Sequence, residues 1–193
     1  MARQRAFDRD QALETALTVF WQYGYEATSV AELTAAMDIR PPSLYGAFGD
    51  KRRLFEEAVA RYQETWGAFA GVALAQPGPA KDAIGRMLRE AAQQYTDPAH
   101  PPGCLVISAG VNCGPQSAEV QEWLRSLREA SKAALKARIE QDLDGDAETL
   151  ATYFASVIQG MSTQARDGAS REMLERVADT AMLAWPDLST PWG

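Results

Sequence analysis

Apolar residues recur three and four positions apart along almost the whole chain, and no stretch alternates apolar with polar residues over strand length. A repeat near 3.6 lines one face of a helix, whereas a half-buried strand needs a repeat of two. The spacing therefore predicts an all-α protein, with about nine helices. Asp8 reads as the cap of the first, whose inner stripe is Leu13, Leu17 and Phe20, with Gly24 just past its end. Ser29-Val-Ala-Glu32 reads as a capping box, in which hydroxyl and carboxylate each satisfy an otherwise free backbone N–H. A third short helix begins at Arg40-Pro41-Pro42, because proline suits a first turn where its missing N–H has no partner anyway. A long fourth stripe (Leu54, Phe55, Ala58, Tyr62, Trp66, Phe69) runs to about Ala73, and Gln76-Pro77-Gly78-Pro79 breaks it. Helices are expected after that over 80–95, 103–110, 117–142, 147–166 and 170–185.

Composition limits what such a chain does. Its 193 residues suit one domain, or a small module joined to a larger one. The net charge of −7 argues against a generally basic nucleic-acid coat. That charge is unevenly spread: residues 1–53 are neutral, with their basic groups gathered at the two ends (Arg3, Arg5, Arg9 and Lys51, Arg52, Arg53), so the rest of the chain holds the whole deficit. The apolar runs are too short for a transmembrane helix, so no membrane partner is expected, and no apolar leader follows the first arginines. Two cysteines cannot build a disulfide framework, and a cytoplasmic location is the default. Cys104 sits in an apolar run and reads as a buried, inert thiol. His100, the one histidine, reads as part of an exposed proline-rich loop. One histidine without a neighbouring ligand set makes no typical zinc site. With no nucleophile elbow and no glycine-rich phosphate loop, no enzyme, no metal and no cofactor are expected.

The functional signal lies in the first three helices. Two short capped helices joined by a tight turn form the helix-turn-helix pattern, whose second helix enters the DNA major groove N-terminus first. The outward residues of that helix are expected to be Arg40, Pro41, Ser43, Tyr45 and Gly46 or Ala47, and Pro42 at its start joins Arg40, Pro41, Ser43 and Tyr45 as a candidate DNA contact. Arg40 can reach a guanine edge or a phosphate. Proline methylenes can touch a thymine methyl, and the Tyr45 hydroxyl can reach a phosphate. Lys51 opens the fourth helix, where a helix N-terminus and a positive charge can hold one phosphate together.

These residues carry a family resemblance. Ala16, Phe20, Gly24, Tyr25, Thr28, Ser29, Val30, Leu33 and the string Ser43-Leu44-Tyr45-x-x-Phe48-x-x-Lys51-x-x-Leu54 resemble the DNA-binding domain of the tetracycline-repressor (TetR) family of transcriptional regulators. The resemblance implies a DNA-binding domain over residues 1–52 and an effector-binding and dimerisation domain over 53–193. It implies a homodimer on a palindromic double-stranded operator, and repression released by an unknown small-molecule effector. It assigns Thr28 and Ser29 to phosphate contact and capping, Ser43 and Tyr45 to recognition, and Lys51 to phosphate. Asp38 stands where the family commonly has glycine, and aspartate tolerates the left-handed backbone better than most residues. Arg40 stands where a small cap residue is common, a loss of about 1 kcal/mol of capping.

The body matches more loosely, through Gly103-Cys104-Leu105 and the run from Gly160 to Ser170. Its aromatics Trp66, Phe69, Tyr95, Trp123, Tyr153 and Phe154, with Cys104, are candidates to line an effector pocket between 80–95, 117–142 and 147–166, of roughly 300–1,000 Å³. Val157, Met161, Leu174, Val177, Ala181 and Trp185 are candidates for a dimer face built from the last two helices. The alternative to a regulator is a helical dimerisation or ligand-binding module without DNA binding.

Overall fold

The computed structural model describes residues 7–143 and 145–186, so Arg3 and Arg5 fall outside it. Its α-helices are α1 (Arg9–Tyr23), α2 (Val30–Ala36), α3 (Pro41–Phe48), α4 (Lys51–Glu64) and α5 (Phe69–Ala75) in the N-terminal half. Then come α6 (Ala80–Tyr95), α7 (Leu105–Ser108), α8 (Ala118–Ile139), α9 (Ala147–Arg166) and α10 (Arg171–Met182). The described residues contain no strand, and they form ten α-helices where nine were expected.

The extra helix comes from a break in the long fourth stripe. The Thr65 hydroxyl donates to the Arg61 carbonyl at 2.7 Å, and the Gly67 N–H reaches back to the Tyr62 carbonyl at 2.8 Å. A Cβ on Gly67 would lie 2.6 Å from the Tyr62 ring, so only glycine lets the chain close over that tyrosine. The apolar period continues across the break because α5 again turns an apolar face to α6. The helix expected from Ser117 also starts differently. Pro115–Ser117 is a single 3-10 turn, and the Ser117 side chain makes no cap bond to α8.

The head is α1–α3 packed on the start of α4. Phe20, Leu33, Leu44, Leu54 and Phe55 are fully buried at its centre, each contributing about 1.5–3 kcal/mol. The capping box of α2 is present: Glu32 N–H donates to Ser29 Oγ at 3.1 Å, and Ser29 N–H donates to Glu32 Oε2 at 2.7 Å. Asp38 takes a φ of 52°, in the left-handed region, at the turn between α2 and α3.

The body pairs α6 with α5 and α10, and α8 with α9. Head and body share a continuous core. Trp21 of α1 meets the Tyr62 ring edge-on at 4.8 Å and stacks on His100 at 4.4 Å, while Trp66 lies 4.7 Å from the other side of His100. The expected exposed histidine is therefore half-buried between two indoles, because its proline-rich loop folds back over the end of α1. Three polar links reinforce this joint. Arg166 of α9 donates to the Trp21 and Gln22 carbonyls, both at 3.2 Å, and the Tyr25 N–H donates to the Ala109 carbonyl at 3.2 Å.

Candidate nucleic-acid interface and internal cavity

The turn between α2 and α3 is fixed from inside. Ile39 N–H donates to the Thr34 carbonyl at 3.0 Å, which aims α3 across the head. Leu44 and Phe48 then anchor one side of α3 in the core. The other side is left to solvent. Arg40, Pro41, Pro42 and Gly46 are exposed, Ser43 is half-buried, and Tyr45 is 50% exposed. Arg40 caps α3 with backbone alone and makes no ion pair among the described residues. Short side chains along this edge permit close approach to the floor of a groove about 8.5 Å deep.

The basic residues beside it divide into braced and available ones. Arg9 is braced by Glu57 and by the Ala47 carbonyl, with its guanidinium 4.5 Å over the Phe48 ring. Arg52 is held by Glu56 and by Glu119 of α8. Lys51 is half-buried, its Nζ 4.2 Å above the Tyr25 ring. Burial lowers its pKa, and Glu26 and Glu32 partly restore it. Arg53 is exposed, without an ion pair among the described residues, one turn into α4. Sequence reasoning passed over Arg53, although the triplet Lys51-Arg52-Arg53 was the available signal.

Ser29 fills the cap role the resemblance assigned, whereas neither Thr28 nor Ser29 has a side chain free for a phosphate. Thr28 is 1% exposed and its hydroxyl donates to the Gly24 carbonyl at 2.7 Å, so it closes the α1–α2 turn and has no free group for a phosphate. Ser29 is exposed, with its hydroxyl and N–H both engaged in the α2 cap.

The body holds a cavity of about 200 Å³ enclosed by α4–α9, smaller than the volume expected from the sequence. Phe69, Tyr95 and Cys104 line it. Trp66, Trp123, Tyr153 and Phe154 do not. Trp66 packs on His100, Trp123 meets Phe55 edge-on, Tyr153 is 38% exposed, and Phe154 is buried beside Trp185. Helical spacing put these side chains on apolar faces without saying which faces enclose the void. Tyr62, Arg128 and Gln159 line it and were missed. Cys104, Tyr62 and Tyr95 all line it, and burial raises the pKa of all three. Cys104 and Cys113 are both free.

Four residues expected at a dimer face belong to the subunit's own core. Met161 of α9, Leu174 and Ala181 of α10 and Trp185 just after it are at most 8% exposed, because α10 packs on α6 and α9. Val157 is half-buried and Val177 is 37% exposed; Tyr153 of α9 and Met173 of α10 are exposed as well. No described helix is long and apolar enough to cross a membrane, and no metal-like cluster of His, Cys, Asp or Glu occurs among the described residues.

Helix-turn-helix proteins set the N-terminal residues of their second helix against base edges. The start of α3 is the stretch of this head whose outward side chains answer to nothing in their own subunit, which places the protein among DNA-binding regulators of the helix-turn-helix class. Comparison with known proteins narrows that class. Residues 12–58 match the family described as "Bacterial regulatory proteins, tetR family". The HTH-type transcriptional repressor ComR of Escherichia coli (strain K12) is 34% identical over 194 residues, covering 96% of this chain and 92% of ComR. The repressor BdcR of the same strain is 30% identical, covering 97% and 92%. A solved cysteine mutant of the TetR family transcriptional regulator CifR, complexed with 26-bp double-strand operator DNA, superposes with a TM-score of 0.91 at 42% identity, over 95% of this chain and 100% of that one. The chain belongs to the tetR family of bacterial regulatory proteins. These relatives are regulators rather than enzymes, and a helical module lacking DNA binding finds no support in likenesses that span head and body together.

Proposed function

We propose that the protein is a cytoplasmic homodimeric repressor that grips a two-fold operator through α3 and releases it when a small molecule fills the body cavity. Residues 1–52 serve as the DNA-binding domain and 53–193 as the effector-binding and dimerisation domain. The observation that carries this reading is the solvent-facing edge from Arg40 to Tyr45, held rigidly by Leu44 and Phe48 and left without intramolecular partners. Pro41, Pro42 and Ser43 approach the groove floor, Arg40 reads a base edge, and Tyr45, Lys51 and Arg53 hold phosphates. Two further observations favour the reading. ComR and BdcR are named as repressors, and CifR is seen on a 26-bp operator. Val157, Val177, Tyr153 and Met173 present an apolar outer surface on α9 and α10 that a second copy covers in an intermolecular four-helix bundle.

The test is a selection from random duplex DNA at low salt with the full chain, followed by gel shift of the enriched sequences. The expected product is a palindrome with half-sites about 10 bp apart or a multiple of that spacing. A pool without a consensus after repeated rounds refutes sequence-specific binding.

A further inference from the structure

Two cations and no carboxylate line the cavity, in a chain that holds 26 acidic and 19 basic residues. Lys132, one of the two, is already neutralised by Glu129 at 2.9 Å and Glu148 at 3.6 Å. Arg128 is different. The other arginines of α8 hold carboxylates, Arg125 on Glu122 and Arg138 on Asp142. Arg128 has no carboxylate within ion-pair distance among the described residues, and its Nη1 donates to the Val106 carbonyl of α7 at 3.0 Å. A half-buried guanidinium with unused donors attracts an anion, and its planar fork fits a carboxylate with two parallel bonds. Other parts of the lining are of the opposite kind. Tyr62, Tyr95 and Cys104 stay protonated, because burial disfavours their anions, so beside them the cavity receives an apolar or weakly polar group. Size narrows the ligand further. A dry cavity of roughly 150 Å³ holds benzene, so about 200 Å³ admits a ring or short chain with one carboxylate.

We propose that the cavity binds a small apolar carboxylate, its head on Arg128 and its body against Phe69, Tyr62 and Tyr95. The proposal rests on reading this cavity as the effector site and supplies the ligand's chemistry. It also supplies a route to the DNA. The guanidinium that meets the carboxylate is the one that holds the Val106 carbonyl, and the same four-residue helix ends at Ala109, whose carbonyl takes the Tyr25 N–H of the head. A carboxylate that takes the Nη1 edge competes with Val106 and loosens α7 from both neighbours.

The experiment titrates the full chain with benzoate and hexanoate against benzamide and hexanamide, by calorimetry and by release of the selected operator. The acids are expected to bind roughly tenfold or more tightly than their amides, the effect of a charge-assisted hydrogen bond. Arg128→Met should erase that preference; because it also removes the Val106 bond, its operator affinity without ligand should fall toward that of the acid-bound protein. Amides that bind as well as the acids, no binding by either acid, or a preference that survives Arg128→Met each overturn the proposal. The two readings fail separately. Amides that bind and release the operator leave an effector-controlled repressor standing, whereas ligands that fill the cavity without touching operator affinity refute effector control itself.

Discussion

Replacing Lys51 by methionine isolates one phosphate contact. The lysine is the first residue of α4 and its Nζ sits 4.2 Å above the Tyr25 ring, so methionine, whose thioether also favours aromatic contact, removes the charge while keeping a side chain of similar length there. The folded head should barely notice. The lost cation–π contact is worth about 0.5–1 kcal/mol, and removing a half-buried charge offsets part of it. Operator binding should respond strongly through salt. Each neutralised phosphate contributes about 0.9 to the slope of log K against log salt, so two copies per dimer contribute about 1.8. Between 50 and 200 mM salt the unchanged protein should lose about twelvefold more affinity than the variant. Proton linkage gives a second readout. Burial holds the Lys51 pKa below its ordinary value, so keeping the charge costs folding stability at lower pH, and the cost fades as pH rises through the folded value. A phosphate restores the pKa. Operator binding should therefore take up protons in the alkaline range just under the usual lysine value of about 10.4, and the variant should not. Fluorescence anisotropy on the selected operator across a salt series measures the slope. Parallel slopes for the two proteins would sink the assignment of Lys51 to a phosphate.

Four further outcomes are expected. Gly103→Ala should lose about 2–3 kcal/mol in denaturant melts, the sum of a left-handed backbone and a disturbed hydrogen bond. Gly103 has a φ of +79°, and an added Cβ meets Ser162 O at 2.7 Å, beside the Ser162 hydroxyl that accepts the Cys104 N–H. Thr28→Val should cost about 1 kcal/mol by leaving the Gly24 carbonyl unpartnered, with the salt slope of operator binding unchanged; a flatter slope would return Thr28 to the phosphate. His100→Ala removes both indole contacts and should cost about 1–3 kcal/mol, with a shift in tryptophan emission. Val177→Glu should sediment as a folded monomer, while Leu174→Glu, which buries the charge in the subunit core, should not fold; a dimer that survives Val177→Glu excludes the outer surface of α10 from the interface.

The head was legible because its signals are local. The Ser29–Glu32 box, the prolines at the start of α3 and the inward pair Leu44 and Phe48 act within one or two turns, and the structure places them accordingly. The body was less so, since its features depend on which helix packs where. The stripe through Trp66 and Phe69 kept its period across a break that Gly67 and Tyr62 impose by a steric contact. Leu174 and Ala181 share a stripe suited to either an internal or an intersubunit partner, and only the packing of α10 on α6 decides. Thr28 matched a family position whose side chain is turned inward here. Arg128 gave no signal because an arginine amid the charges of α8 looks like any solvated residue until its lack of a carboxylate is seen in space.

The joint between head and body also bounds what any effector can do. A ligand shifts the head only by the difference in its free energy between two arrangements of the molecule. The links available to break are few: Tyr25 to Ala109, Arg166 to two carbonyls at the end of α1, Arg52 to Glu119 and Gln116 to Glu26. The last two pairs are solvent-exposed, where screening leaves such contacts contributing little. The backbone-directed bonds are worth about 0.5–1.5 kcal/mol apiece. Losing the bond at Ala109 together with one or two of the others gives about 1–4 kcal/mol, matching the range typical of coupling between two sites. The stacked pair of Trp21 and the half-buried His100 also meets the cavity wall, since Tyr62, which lines the cavity, lies edge-on to Trp21 at 4.8 Å. Ala109, joined to the cavity through Val106 of α7, is the head contact that lies nearest along the chain to the carbonyl that Arg128 holds.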